Sequence, residues 1–276
     1  MFNAIIPAHN EEAYIGPTLE GLLEQDGGAP KALRVIVAAN GCSDRTAEIA
    51  ASYAPRFEAR GWEFVLLDIP EGGKTGALNR ADAAAAPGPR AYIDADVICS
   101  PTLLGELATI LDTEVPRYAS GRFTVAPPSS WASRHYARLW LRLPFMASGV
   151  PGCGLFAMNE AGRARWAAFP PIIADDLFSR LNFAPDERFR AEAPFSWVLA
   201  EGFSALVRVR RRWDEGNRQL FEQFPDLSRN EEKAPVRLRD HVRLLLGQPV
   251  SYGVYVAVAL ASRTGIYDRG SWARGR

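Results

Sequence analysis

Two pairs of closely spaced aspartates are the residues of this sequence best placed to do chemistry. Asp94 and Asp96 follow the apolar run Ala91–Ile93. On an extended segment, side chains at i and i+2 project from the same face. Two carboxylates held this way repel, and they are costly to bury unless a positive charge meets them. They read either as groups awaiting a cationic partner or as aspartates that cap a helix or stay solvated. Asp175 and Asp176 form the second pair, behind Pro170 and Pro171. A loop stiffened by two prolines can hold a carboxyl where its pKa rises. The same acids could instead cap a helix over "LFSRL". Lys74 is the third group of interest, one of three lysines with Lys31 and Lys233. It follows Gly72–Gly73, but "GGKT" is not a Walker P-loop, because the position that motif reserves for its first glycine is Asp68.

The first hundred residues supply a regular frame for these groups. Phe2–Pro7, Leu33–Ala39, Trp62–Pro70 and "AYID" read as apolar strands, with helical spacing in "EEAYIGPTLEGLLEQ", "SDRTAEIAASYA" and "KTGALNRADAAAA" between them. Ser43 or Asp44 is the expected cap of the second helix. Apolar strands alternating with helices predict a mostly parallel α/β sheet flanked by helices. In such a sheet ligands bind beyond the carboxyl ends of the strands, where "PAHNEE", "ANGCSD", "PEGGKT" and "DADVICS" all fall.

Beyond about Pro101 the alternation blurs. "RYASGRFTV" and "GCGLFAMN" read as strands, and "SSWASRHYARLWLRLPF", "EAGRARW" and "LFSRLNF" as helices. "FSALVRVRRRWDEGNRQLFEQF" reads as an alternating strand that becomes a helix. "VSYGVYVAVALA" is the longest mainly apolar stretch; it falls short of the ~20 residues of a span. It reads either as a packed core element or as a contact with a membrane surface or partner.

The 276 residues carry a formal net charge of +0, which gives no global pull toward nucleic acid or an anionic membrane. Cys42, Cys99 and Cys153 are widely spaced and form no CxxC pair, so neither a disulfide framework nor a zinc site is indicated. His9, His135 and His241 show no ligand spacing. "MFNAIIPAHNEE" lacks the basic and apolar regions of a signal peptide, so the expected compartment is the cytoplasm.

Taken in order, the motifs resemble those of the inverting glycosyltransferases of family 2, which have the GT-A fold. "IIPAHNEEAYI" is similar to the opening strand and nucleotide loop, and "VIVAANGCSDRTAEIA" to the second nucleotide loop. "GKTGALNRA" resembles the lysine-bearing helix start and "YIDADV" the DXD metal motif. "ADDLFSRL" is similar to the catalytic-base segment and "RRRWDEGNRQ" to the arginine–tryptophan helix. The resemblance runs from about Phe2 to Leu220.

It implies that Pro7, Ala8, Asn10 and Glu12, with Glu11 beside them, contact the base and ribose of a nucleotide sugar. Asn40 stands where many relatives carry an aspartate that reads the base, and an amide can both donate and accept there. Asp44 reads equally as part of that loop's binding surface or as a cap. Lys74 is implied to contact phosphate. Asp96 is implied as the closer metal ligand, with Asp94 near the ribose or metal. A hard divalent cation, Mg²⁺ or Mn²⁺, suits oxygen ligands and a departing diphosphate. Asp176 matches the family's base, with Asp175 beside it. Arg212, Trp213 and Asn217 lie on the last motif; Val209 replaces the glutamine of processive membrane synthases, which argues for transfer of a single sugar.

The implied function is metal-dependent transfer from a UDP- or GDP-sugar to a hydroxyl on a carbohydrate, lipid-linked or small-molecule acceptor. No nucleic-acid partner is expected; a peripheral contact with the inner face of the membrane stands as the alternative to a packed C-terminal stretch. Two alternatives stand beside it. A sugar nucleotidyltransferase would carry a glycine-rich, arginine-bearing N-terminal loop where "PAHNEE" stands. A catalytically inactive nucleotide-sugar-binding protein would have little reason to keep Asp94, Asp96 and Asp176. The expected organisation is a GT-A domain over 1–225, split at about residue 100 into nucleotide-binding and acceptor halves, and a C-terminal extension over 226–276.

Overall fold

The computed structural model describes residues 1–26, 28–232 and 237–264; the end of the expected extension, 265–276, lies outside them. Eight strands form one sheet among these residues, in the order β3-β2-β1-β4-β7-β6-β8-β5. They are β1 (Phe2–Ala8), β2 (Leu33–Asn40), β3 (Glu63–Ile69), β4 (Arg90–Ile93), β5 (Val97–Cys99), β6 (Tyr118–Val125), β7 (Leu155–Met158) and β8 (Arg188–Trp197). β1 to β4 pair in parallel, and every residue of β1 is buried. This double-sided burial is why these strands read as unbroken apolar runs. β7 runs antiparallel to β4 and β6, and β8 runs parallel to β6. The sheet is therefore parallel in its nucleotide half and mixed beyond it.

The helices are α1 (Ile15–Leu23), α2 (Thr46–Ser52), α3 (Ala54–Ala59), α4 (Lys74–Ala84), α5 (Leu103–Leu111) and α6 (Trp131–Trp140), then α7 (Pro144–Ser148), α8 (Glu160–Arg163), α9 (Asp175–Leu181), α10 (Phe203–Gln223), α11 (Leu238–Gly247) and α12 (Pro249–Ala261). Two apolar cores pack the sheet. Ile6, Val35, Val37, Ile93, Leu107 and Phe195 belong to one, and Ile5, Ile36, Leu78, Tyr92, Phe156 and Phe178 to the other.

The structure departs from the sequence reading in the second half. Phe203–Gln223 is helical throughout, so the expected strand at its start does not form. Val207 and Val209 suggest alternation, but Leu206, Val209, Gly216 and Leu220 are buried at helical spacing along one face. β5 and β8 were not anticipated. β8 accommodates Pro194 where its register against β6 shifts between Ser120 and Arg122. "VSYGVYVAVALA" lies in α12, which buries Ser251, Val254 and Val258. α12 packs on α6 and α10: His135 Nδ1 lies 3.0 Å from Ser251 Oγ, the Tyr136 and Tyr255 rings stack at 5.2 Å, and Arg210 donates to the Tyr255 hydroxyl at 3.2 Å. One face of this stretch is thus packed, while Val250 and Leu260 on it stay exposed. No described helix is long and apolar enough to cross a membrane.

Candidate active site

The four loops come together at the carboxyl ends of β1 to β4. The loops after β1 and β2 are laced to each other. Asn10, a non-glycine residue with φ of 51°, accepts from Ser43 N at 2.6 Å, and Glu12 accepts from Arg45 N at 3.2 Å. Thr46 Oγ1 accepts from Glu11 N at 2.6 Å, while Asp44 accepts from Glu12 N and Thr46 N. The N-cap of α2 is Arg45 rather than Ser43 or Asp44, and it makes no side-chain cap bond; Asp44, one residue earlier, ties the start of α2 to the neighbouring loop. Pro7 and Ala8 form the buried end of β1.

Asn40 is 2% exposed and is committed within the fold. Its amide nitrogen donates to the carbonyls of Ala8 (2.8 Å) and Ala38 (3.3 Å), and its oxygen accepts from Gly73 N (3.0 Å). Both amide hydrogens are used, so the expected reading of a base edge through this side chain gives way to a loop-organising role. The glycines around it are dictated by space and dihedral. A Cβ on Gly41 would stand 2.8 Å from Gly72 Cα, and Gly73 sits at φ 143°. Together these bonds aim the first residue of α4, Lys74, across the edge of the sheet.

Lys74 is the hub of the site. Its ammonium lies 2.9 Å from Asp94 Oδ1 and 3.0 Å from Asp175 Oδ2. One cation thereby joins the acid at the end of β4 to the acid that opens α9. Burial alone would lower the Lys74 pKa, but the charges of Asp175 and Asp94 outweigh it and raise it. Asp96, beside them, is 4% exposed.

Asp175 is sealed, whereas Asp176 keeps an open edge. Burial raises the Asp175 carboxyl while Lys74 pulls it back. Burial and then the charge of Asp175 push Asp176 up to about 6, with Lys74 opposing. Leu177 N donates to Asp176 Oδ1 at 2.8 Å. The segment before α9 is pinned at both ends by amides. Asn79 of α4 exchanges two hydrogen bonds with the backbone of Phe169, and Gln219 of α10 accepts from Ile173 N at 3.0 Å. Neither amide was singled out in the sequence. Asn79 lies within "GALNRA", so the motif held the signal, while Gln219 gave none.

α10 crosses behind this segment, and a Cβ on Gly216 would meet Ile173 at 3.0 Å. Arg212 lies one turn before Gly216 and Gln219 two turns after Arg212, so the three share a face toward the segment before α9. Trp213 turns away from them. It stacks on Trp140 at 5.4 Å and meets Trp197 at 6.2 Å, so packing accounts for it. Asn217 lies farther along α10.

Asp94 and Asp96 are hard oxygen donors at one strand end, which fits a divalent cation bound by one or two carboxylates and completed by phosphate and water. Among the described residues no group of three or more His, Cys, Asp or Glu side chains is gathered to hold an ion alone.

The Glycosyl transferase family 2 profile matches residues 4–156, more than half of the chain. The chain is 26% identical over 228 residues to the uncharacterized glycosyltransferase EpsJ of Bacillus subtilis (strain 168), covering 78% of this chain and 59% of that protein. The chain thus spans about three-fifths of that relative's length. Its fold is similar to that of the mannosyltransferase PcManGT from Pyrobaculum calidifontis in complex with GDP-Man and Mn²⁺, with a TM-score of 0.59, 18% identity and 95% and 74% of the two chains covered. It is also similar to S. aureus TarS 1-349 in complex with UDP-GlcNAc, with a TM-score of 0.53, 16% identity and 100% and 95% covered. With its sheet, loops and acid pairs in this arrangement, the chain belongs to glycosyl transferase family 2 and has the GT-A fold.

Proposed function

We propose that the protein transfers a single sugar, with inversion, from a UDP- or GDP-sugar to a hydroxyl acceptor, with the aid of Mg²⁺ or Mn²⁺. The observation that carries this reading is the convergence of both acid pairs on Lys74, 2.9 Å from Asp94 and 3.0 Å from Asp175. It joins a phosphate-side pair to an acceptor-side pair, the two halves an inverting displacement requires. The GDP-Man and UDP-GlcNAc bound by the two similar structures support a nucleotide-sugar donor.

Asp96 and Asp94 would hold the cation, which would supply neutralising charge to the departing diphosphate. Lys74 adds a fixed positive charge on the same side. The laced loops around Asn10, Glu12 and Gly73 would form the cradle that meets the base and ribose. Asp176 takes the proton from the acceptor hydroxyl as that oxygen attacks the sugar, and Asp175 stays beside it as the carboxylate paired to Lys74. A pKa of about 6 leaves Asp176 mostly ionised at neutral pH yet basic enough to accept a proton.

Thermal unfolding with UDP or GDP, each with Mn²⁺ or with chelator, tests the donor half. A ligand at a hundredfold excess over its Kd stabilises by about 2.7 kcal/mol. The expected result is stabilisation by one nucleotide that depends on metal and disappears in Asp96→Ala. Equal stabilisation in chelator would remove the metal from the reading.

A further inference from the structure

We infer that α11, together with the outward row of α6, is a docking face for a bilayer surface carrying anionic lipid. α11 packs against α12, and His241 Nδ1 lies 3.0 Å from the Tyr252 hydroxyl. No described residue covers its other side. Val242 is 48% exposed, Leu245 44% and Leu246 78%, and Val250 continues the patch at 50%. Val242, Leu245 and Leu246 lie at i, i+3 and i+4, so they form one stripe rather than scattered apolar residues. The packed stretch "VSYGVYVAVALA" shows the contrast, since Val258 on α12 is fully buried.

Charge selects the occupant. Arg237, Arg239 and Arg243 flank the stripe and are exposed, against Asp240 as the acid of this helix. On α6, Trp131, Arg134 and Arg138 recur at helical spacing, Arg142 follows just past its end, and all four are exposed. The Gln248 side-chain amide, at the turn between α11 and α12, lies against the Arg142 guanidinium, which makes the α6 row contiguous with the apolar patch. An apolar stripe bordered by arginines, with a tryptophan at the rim, is the pattern of a helix lying in a headgroup layer. Lipid tails take the leucines and anionic headgroups the guanidiniums. An apolar groove on a protein partner would not need so many arginines around it. This inference does not rest on the transfer chemistry.

Flotation of the full chain with vesicles tests it. At low salt the protein should float with phosphatidylcholine–phosphatidylglycerol vesicles and stay behind with phosphatidylcholine alone. Leu245→Ser/Leu246→Ser should abolish flotation, and Arg239→Gln/Arg243→Gln should reduce it and remove the preference for anionic lipid. Both pairs are exposed, so unfolding temperature and nucleotide binding should match the parent and show that the fold is intact. Absence of flotation at low salt would overturn the proposal, as would flotation unchanged by the leucine variants. Concentration-dependent dimerisation in sedimentation, lost in the leucine variants and unaffected by vesicles, would assign the patch to a second copy instead.

Discussion

Lys74 and Asp175 meet at 3.0 Å although they start two different helices, and the same ammonium reaches Asp94 at 2.9 Å. Asp175 and Asp94 each carry a charge the other disfavours, so the lysine is what allows both carboxylates to stand at one edge of the sheet. Lys74→Met leaves a buried carboxylate without its cation. Stability should fall by ~1–3 kcal/mol in denaturant unfolding, the cost of orphaning such a group. Lys74→Arg keeps the charge and should recover most of the stability, while its larger planar head should leave turnover impaired. Full activity in Lys74→Met would detach the lysine from the site.

The pH dependence follows from Asp176. Its carboxyl is raised to about 6 by burial and by Asp175, against the pull of Lys74. A base works when deprotonated, so kcat/KM should be level above that value and fall about tenfold per pH unit below it. Lys74→Met removes the positive charge that lowers the Asp176 pKa and leaves only the Leu177 N–H bond to oppose the rise, so the acidic limb should move to higher pH. An acidic limb that stays in place in this variant would mean that another group controls it.

Asn40 offers a test of the loop architecture. In Asn40→Leu the side chain keeps its approximate shape, but Gly73 N–H and the Ala8 and Ala38 carbonyls lose their partner. The expected cost is ~2–4 kcal/mol in unfolding free energy. Because Gly73 precedes Lys74, the KM for donor should rise as well. A rise in donor KM without loss of stability would restore Asn40 to direct contact with the nucleotide.

The first half of the fold was legible because β1, β2 and β4 are largely buried on both faces and its loops fall at strand ends. The acids were legible from spacing, since Asp94 and Asp96 end a strand and Asp175 and Asp176 open a helix. What joins them was not, because the Lys74–Asp175 contact spans half the sheet edge and leaves no local pattern. β8 did carry one, with Phe189, Ala191, Ala193, Phe195 and Trp197 alternating, but small residues, charges and Pro194 diluted it. The start of α10 misled in the opposite sense, since two valines at i and i+2 imitate a strand until the helical stripe of the whole segment is followed. Trp213 could be read as ligand or core, and only its contacts with Trp140 and Trp197 decide for packing.

The sharpest expectation concerns Asp176 against its neighbour. Asp176→Asn retains an Oδ1 that can accept from Leu177 N, so the start of α9 should keep its geometry. It loses the ability to take a proton. General-base catalysis contributes ~10²–10⁴-fold, and kcat should drop within that range while donor affinity by calorimetry stays put. The stability effect has a definite sign. A carboxyl whose pKa is raised on folding stabilises the protein below the ordinary carboxylate range, and that contribution is lost as pH rises through about 6. At neutral pH the wild-type charge is therefore a burden, and Asp176→Asn should be more stable by ~1 kcal/mol. Asp175→Asn should behave differently, because it strips Lys74 of one of its two carboxylates: stability falls and turnover drops less. A slow enzyme that is also more stable identifies Asp176 as the base, whereas near wild-type turnover in Asp176→Asn would falsify the assignment and transfer the role to Asp175.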